Sequence, residues 1–366
     1  MREGWIEYKF KDVATAVKGK LPKNKNEDGI GIPYLTANFL RSSKPDFWIE
    51  NIEGAVTAED GDCLILWDGA GAGDLFSAHR GVVSSTMAVV TTQNSKILRE
   101  FLTLFISSKA EYIKETCRGT TVPHVSPDAI ANMDLKIPPL PEQKRIVDLI
   151  SSVDSYVEAL QQQLESAKRS RNAVLHELLT AGGDDWEEST LGRLLTLEYG
   201  KPLTDENRDG IGFPVFASAG VVGMHSEPLV SNSPVIVVGR KGTAGAVYWS
   251  STPCFVIDTA YFVKPISDID LRFLYLLLGF IDLKSVTAQT GVPGLNRDRA
   301  YSLKCNVPPK SKQLEVVSIV TQLDDFIDST QGTINRSEDL RSGLLSDLLS
   351  GEHEIPASYD KAMGPA

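Results

Sequence analysis

The feature that most limits what this 366-residue chain can fold into is that much of it occurs twice. Asp28-Gly29-Ile30-Gly31-Ile32-Pro33-Tyr34 returns 181 residues later as Asp209-Gly210-Ile211-Gly212-Phe213-Pro214-Val215, and Trp5 returns at the same offset as Trp186. Thr86 and Thr259, each in an apolar run, lie 173 apart. Val122-Pro123 returns at an offset of 170 as Val292-Pro293, and Ile137-Pro138-Pro139 as Val307-Pro308-Pro309. Leu178-Leu179-Thr180-Ala181-Gly182 matches Leu348-Leu349-Ser350-Gly351-Glu352. Order is kept throughout, and the period is far too long for a solenoid. Two copies of one structural unit fill the chain.

Each copy has two parts. In the first, apolar runs rich in β-branched residues (Cys63–Trp67, Val82–Val90, Val235–Val238, Phe255–Val263) alternate with Gly-rich turns. A helical stretch follows each set, over 97–117 and 269–289. The second part is one long helix. From Glu142 to Thr180 there is no Pro or Gly. Ile146, Ile150, Val153, Val157, Leu160, Leu164, Ala167, Arg171, Val174 and Leu178 step by four and three, a heptad seam. The second copy repeats it as Val316, Val320, Leu323, Ile327, Thr330, Ile334, Ser337, Arg341, Leu344 and Leu348. A 39-residue helix is about 58 Å long, more than a small domain is wide. Two such helices are therefore expected to pair with each other. Chain order makes them antiparallel, with a pseudo-two-fold relation between the copies. Arg171 and Arg341 fall on the seam and need a carboxylate or carbonyl partner across it.

The expected fold class is thus α/β (α+β). Two globular domains, 1–140 and 183–310, are joined by two antiparallel coiled-coil helices, 141–182 and 311–351, with a tail over 352–366.

These features resemble the specificity subunit of type I restriction–modification systems. The resemblance rests on two α/β domains, each followed by Pro-Pro, a Gln-bearing helix start and a heptad helix, ending in Leu-Leu-x-x-Gly in the first copy and Leu-Leu-x-Gly in the second. Leu140-Pro141-Glu142-Gln143-Lys144-Arg145-Ile146 is its most specific segment; the second copy keeps Gln313 without the Pro-Glu pair. The resemblance implies two target-recognition domains, each reading half of a bipartite site on double-stranded DNA. It also implies helices that set the spacing and dock two methyltransferase subunits, and restriction subunits that join through that core.

Charge restricts where DNA can touch. The net charge is −11, with −2 on 1–140 and −6 on 311–366, so a general basic surface is absent and contact is confined to local patches. The candidates are Lys18, Lys20, Lys23 and Lys25 in one basic loop, with Lys201 as their counterpart. Matched polar loops contribute Arg118, Thr120 and His124 in one copy and Gln289, Asn296 and Arg297 in the other. Two Gly-adjacent basic tips, His79-Arg80 and Arg240-Lys241, are paired as equivalents. These residue types supply phosphate contacts and base-edge hydrogen bonds.

Catalytic patterns are weak. Gly69-Ala70-Gly71-Ala72-Gly73 and Gly239-Arg240-Lys241-Gly242-Thr243-Ala244-Gly245 read as strand-to-strand turns, since neither has the spacing of a nucleotide loop. Asp128, Asp134 and Lys136 are too close in sequence for a nuclease triad. Ile137-Pro138-Pro139-Leu140 lacks the polar and aromatic residues of an amino-methyltransferase motif. His79, His124, His176, His225 and His353 have no ligand spacing. A non-catalytic protein without metal or cofactor is expected. Scattered cysteines and a charged N-terminus without an apolar stretch point to the cytoplasm rather than to secretion or a membrane. Two rivals stay open: the specificity module of a fused methyltransferase system, and a coiled-coil scaffold whose two domains bind a ligand other than DNA.

Overall fold

A run of buried β-branched residues becomes a strand only if neighbours cover both faces. Cys63–Leu66 and Val235–Gly239 meet that condition: every residue of both is buried. The computed structural model describes residues 4–22, 24–119, 122–288 and 294–362, with Ala288, Lys361 and Ala362 described by backbone alone. It divides into two compact units, Met1–Gln161 with Gly332–Ala366, and Gln162–Gln331.

In the first unit, Cys63–Leu66 lies inside an antiparallel sheet ordered Thr15–Lys18, Met87–Thr91, Cys63–Leu66, Leu75–Ser77. A second sheet is ordered Trp48–Ile49, Ile32–Leu35, Gly81–Val83, Thr57–Ala58, with Ile32–Leu35 and Gly81–Val83 parallel. Ile6–Lys9 pairs with Asp134–Ile137 where the domain meets its long helix. The second unit repeats the scheme. Its main sheet runs Leu195–Tyr199, Ala260–Pro265, Val235–Gly239, Val247–Ser250. Phe213–Ala217 pairs in parallel with Phe255–Val256, and Glu187–Thr190 with Lys304–Val307 in antiparallel register.

The apolar run 82–90 does not form one strand. A turn closed by Met87 N–H donating to the Ser84 carbonyl sends the chain from one sheet to the other. The run 255–263 breaks likewise, where Ala260 N–H donates to the Ile257 carbonyl. The helical stretches are shorter than expected: Arg99–Ser108 followed by Ala110–Glu115, and Leu271–Phe280 followed by a 3₁₀ turn, Leu283–Val286.

The long helices are Leu140–Thr180 and Lys310–Ser350, 41 residues each. Both begin on a proline carbonyl. Pro139 accepts from Glu142 and Gln143, and Pro309 accepts from Lys312 and Gln313. The missing Pro-Glu pair therefore leaves the second start intact, because the backbone makes this cap. Gly332 and Gly343 lie within the second helix without ending it.

Each unit holds the beginning of one long helix and the end of the other, packed antiparallel. In the first, Ile146 and Ile150 join Leu345 and Leu348 in a core with Phe101 and Ile106. In the second, Val316 and Val320 join Leu175 and Leu179 with Phe273 and Leu274. Every apolar seam position is buried or half-buried: Ile146, Ile150, Val153, Val157, Leu160, Leu164, Val174 and Leu178 in one helix, and Val316, Val320, Leu323, Ile327, Ile334, Leu344 and Leu348 in the other. Full burial of such a side chain contributes about 1.5–3 kcal/mol. Thr330, polar and buried, donates to the Phe326 carbonyl one turn back at 2.8 Å.

The seam arginines find carboxylates. Arg171 Nε lies 2.8 Å from Asp324 Oδ1 in the second unit, and Arg341 pairs with Asp154 in the first. A shift of 170 residues turns either pair into the other with the partners' roles exchanged.

Candidate functional site

Hydrogen bonds fix which residues are equivalent in the two domains. The Thr86 carbonyl accepts from Trp67 and Asp68 N–H; the Thr259 carbonyl accepts from Arg240 and Lys241 N–H. Trp67 in turn accepts from Val125 N–H, and Arg240 from Leu295 N–H. Trp67-Asp68 therefore occupies the place of Arg240-Lys241. On the neighbouring strand Lys18 pairs with Ala88, and Tyr199 with Tyr261. One strand end, one turn and one helix start converge at this place in each domain.

In the second domain these elements surround an open cleft of about 400 Å³, lined by Tyr199, Tyr261, Arg240, Lys241, Asn296 and Arg297 among others. The Arg240 guanidinium lies over the Tyr199 ring at 4.9 Å and the Tyr261 ring at 5.9 Å. Its Nη1 donates to the Asp258 carbonyl at 2.7 Å. Arg297 lies over Tyr199 at 5.2 Å and Tyr301 at 6.0 Å. Cations on aromatic faces are attracted by the ring quadrupole, which fixes long side chains in place. Burial and the Tyr199 hydroxyl push the Tyr261 phenol above its ordinary pKa, against the opposing pull of Arg240. Tyr261 thus stays neutral at physiological pH. Among the described residues neither Arg240 nor Arg297 forms an ion pair, although Asp298 also lines the cleft.

The same place in the first domain carries different chemistry. Lys18 stands where Tyr199 does and lies 2.5 Å from Asp68, which stands where Lys241 does. Arg118 and His124 pair through their backbones beside it, and Asp68 forms a backbone bridge with His124. The charge of Lys18 is therefore largely cancelled.

Of the sequence candidates, Arg240, Lys241, Asn296 and Arg297 come together in one cleft, and Lys18, Arg118 and His124 gather at its counterpart. Asn296 has a structural task as well: its Oδ1 caps the helix Arg297–Tyr301 by accepting from Arg299 N–H at 2.9 Å. Lys20, Lys25 and Lys201 are exposed, and Lys25 lies over the Phe47 ring at 3.7 Å. Lys23, Thr120 and Gln289 lie outside the described residues. His79 and Arg80 are exposed but follow the next strand of the hairpin, where His79 stacks on Phe39. Their pairing with Arg240-Lys241 is corrected to Trp67-Asp68. Trp67-Asp68 carries no basic signal in the sequence, although the Thr86–Thr259 offset applied to Arg240 points to Trp67.

Gln143 and Gln313 were legible only as part of a motif. Gln143 is fully buried; its Oε1 accepts from Leu98 N–H, and its Nε2 donates to the Lys96 and Pro138 carbonyls. Gln313 repeats the latch with Asp270 N–H and the Pro308 carbonyl. These amides lock each long helix to the domain before it.

The elements with weak catalytic resemblance have structural explanations. Gly69, Gly71 and Gly73, like Gly242 and Gly245, take left-handed backbone in hairpin turns between paired strands. Asp134 lies on a strand, ion-paired to Lys9. Burial pushes the Cys63 thiol up to about 12, and those of Cys254 and Cys305 to about 11, too high for a thiolate nucleophile at neutral pH. Among the described residues no cluster of three His, Cys, Asp or Glu side chains suits a metal, and no helix is long and apolar enough to cross a membrane.

Comparison with known proteins agrees with this architecture. The chain is 22% identical over 399 residues to the type I restriction enzyme MjaVIII specificity subunit of Methanocaldococcus jannaschii, covering 96% of this chain and 94% of that one. It is 21% identical over 215 residues to the EcoBI specificity subunit of Escherichia coli, covering 57% and 45%. Its fold superposes with a TM-score of 0.63 on the crystal structure of a type I restriction–modification S subunit from M. genitalium, at 18% identity, covering 96% and 97%. The family model of the type I restriction modification DNA specificity domain matches residues 2–169 and again 183–338. With two copies of that domain filling most of its length, the chain belongs to the type I restriction–modification DNA specificity family.

Proposed function

We propose that this chain is the DNA sequence-specificity subunit of a type I restriction–modification complex. Residues 1–140 and 183–310 act as its two target-recognition domains, each reading one half of a bipartite site in double-stranded DNA. The helices over 141–182 and 311–351 set the distance between the half-sites and dock two methyltransferase subunits, and 352–366 forms a tail. Restriction subunits join through the methyltransferase core. The chain itself is non-catalytic and works in the cytoplasm.

The observation that carries this reading is that the repeat extends to contacts. Both units hold the same strand order in the main sheet, the same glutamine latch and the same crossed Arg–Asp pair. Two copies of one reader on antiparallel helices match two DNA half-sites. The differing clefts then serve different half-site sequences. Net charge opposes binding by the chain alone, so affinity is expected to rise sharply when the methyltransferase partner joins.

Methylome sequencing of cells carrying this chain and its methyltransferase partner tests the reading. One motif is expected, with two defined halves and an unspecified spacer of fixed length. A single uninterrupted motif, or methylation indifferent to this chain, would overturn it.

A further inference from the structure

The second-domain cleft has an arrangement that its fold does not require. The first domain builds the same strand and turn with Trp67 where the second has Arg240, and both positions make the same backbone hydrogen bonds. An arginine there is therefore free to serve a ligand. Its guanidinium is held on two sides, by the Asp258 carbonyl and by the face of Tyr199. Tyr199 itself is half exposed, so the stack stands at the surface. One of five donors is taken up by Asp258, and among the described residues no carboxylate neutralises the charge.

Resting on the DNA-specificity reading above, we propose that Arg240 reads one guanine in the half-site of the second domain. Two of its remaining donors bond the guanine O6 and N7 in the major groove, and Tyr199 and Asp258 are its positioning residues. A guanidinium whose plane is fixed matches the paired acceptors of guanine, the commonest target of arginine in specific recognition. A phosphate contact asks only for charge, which Lys241 and Arg297 supply in the same cleft. The first domain has no counterpart of this reader: Trp67 fills the position, and Lys18 is neutralised by Asp68.

The test uses the assembled methyltransferase complex and reads its methylation motif. Arg240→Lys keeps the charge but removes the two-pronged geometry. Discrimination at one G·C position of one half-site should fall on the order of ten-fold or more, with the other half-site unchanged. Tyr199→Leu should relax that same position to a smaller degree, and Tyr199→Phe, which keeps the ring, should restore it. A purely structural role for Tyr199 would lower methylation without altering the motif. An unchanged motif with uniformly slower methylation in Arg240→Lys would overturn the proposal in favour of a phosphate contact. Should that variant not assemble, the Tyr199 pair decides, and a wild-type motif with no G·C pair in one of its halves assigned to the second domain is fatal by itself. Absence of any motif for the wild-type complex would instead refute the DNA reading on which the proposal rests.

Discussion

The two recognition domains share a scaffold and differ in their clefts. The strand order of the main sheet, the Thr86 and Thr259 turns, the glutamine latches and a close glycine approach recur in both. Lys18, Trp67 and Asp68 of the first domain are the equivalents of Tyr199, Arg240 and Lys241 at the cleft of the second. The first set is internally neutralised, and the second is cationic and stacked on tyrosine. Side chains that recur answer to folding; those that differ at one backbone position are free to answer to the ligand. The comparison thus separates stability from specificity without any need for a bound partner.

Glycine substitution is the most severe way to probe the shared scaffold. A Cβ on Gly19 would lie 2.1 Å from the Val83 carbonyl oxygen, and one on Gly200 would lie 2.1 Å from that of Ile257. Backbone must move in either case, so Gly19→Ala and Gly200→Ala should each cost about 3 kcal/mol. Calorimetric melting of the two variants should show similar losses; a loss confined to one would break the equivalence of the domains.

The latches come next. Gln143→Leu strands one N–H and two carbonyls, and Gln313→Leu one of each. Buried unsatisfied groups cost about 1–3 kcal/mol each before relaxation or water entry. Denaturant titration should place both variants below wild type by about 2 kcal/mol, with Gln143→Leu the lower. The reverse order would show that hydrogen-bond count does not set the strength of the latch.

A subtler difference separates the crossed ion pairs. Asp324 also lies 3.5 Å from Arg272, whereas no second cation approaches Asp154 among the described residues. Both pairs are partly exposed, which limits each to about 1–2 kcal/mol. Arg341→Ala should therefore destabilise more than Arg171→Ala in the same titration, and equal losses would deny Arg272 a compensating role.

How much of this was legible in the sequence follows from range. The long helices and their seams repeat every three to four residues and are bounded by Pro and Gly, so local pattern suffices. The partners of Arg171 and Arg341 were legible as a requirement, because a charge on a seam needs one, but Asp324 and Asp154 follow only from the helix register. Parallel pairing of Ile32–Leu35 with Gly81–Val83 joins segments almost fifty residues apart, and no local pattern records it. The cleft was half legible: Arg240 and Arg297 are conspicuous as basic residues near Gly, but Tyr199 and Tyr261 read only as strand residues. Asp68 was invisible as a site residue because its effect is to cancel a charge.

Asp68→Ala frees Lys18 in the first domain. The salt dependence of DNA binding by the assembled complex should steepen by about one counterion, with its motif unchanged. An unchanged slope would mean that Lys18 does not approach phosphate.

The central claim is that two readers are held at a spacing set by the paired helices, and changing helix length tests it most directly. Seven residues inserted after Leu160 and seven after Thr330 preserve the seam in both helices. They add about 10.5 Å of helix. At about 3.4 Å per base pair, the unspecified spacer of the methylation motif should lengthen by up to about three base pairs. Both half-site sequences should stay as they are, since no cleft residue is touched. A variant that folds, binds its methyltransferase partner and still methylates only the original spacing would contradict the claim.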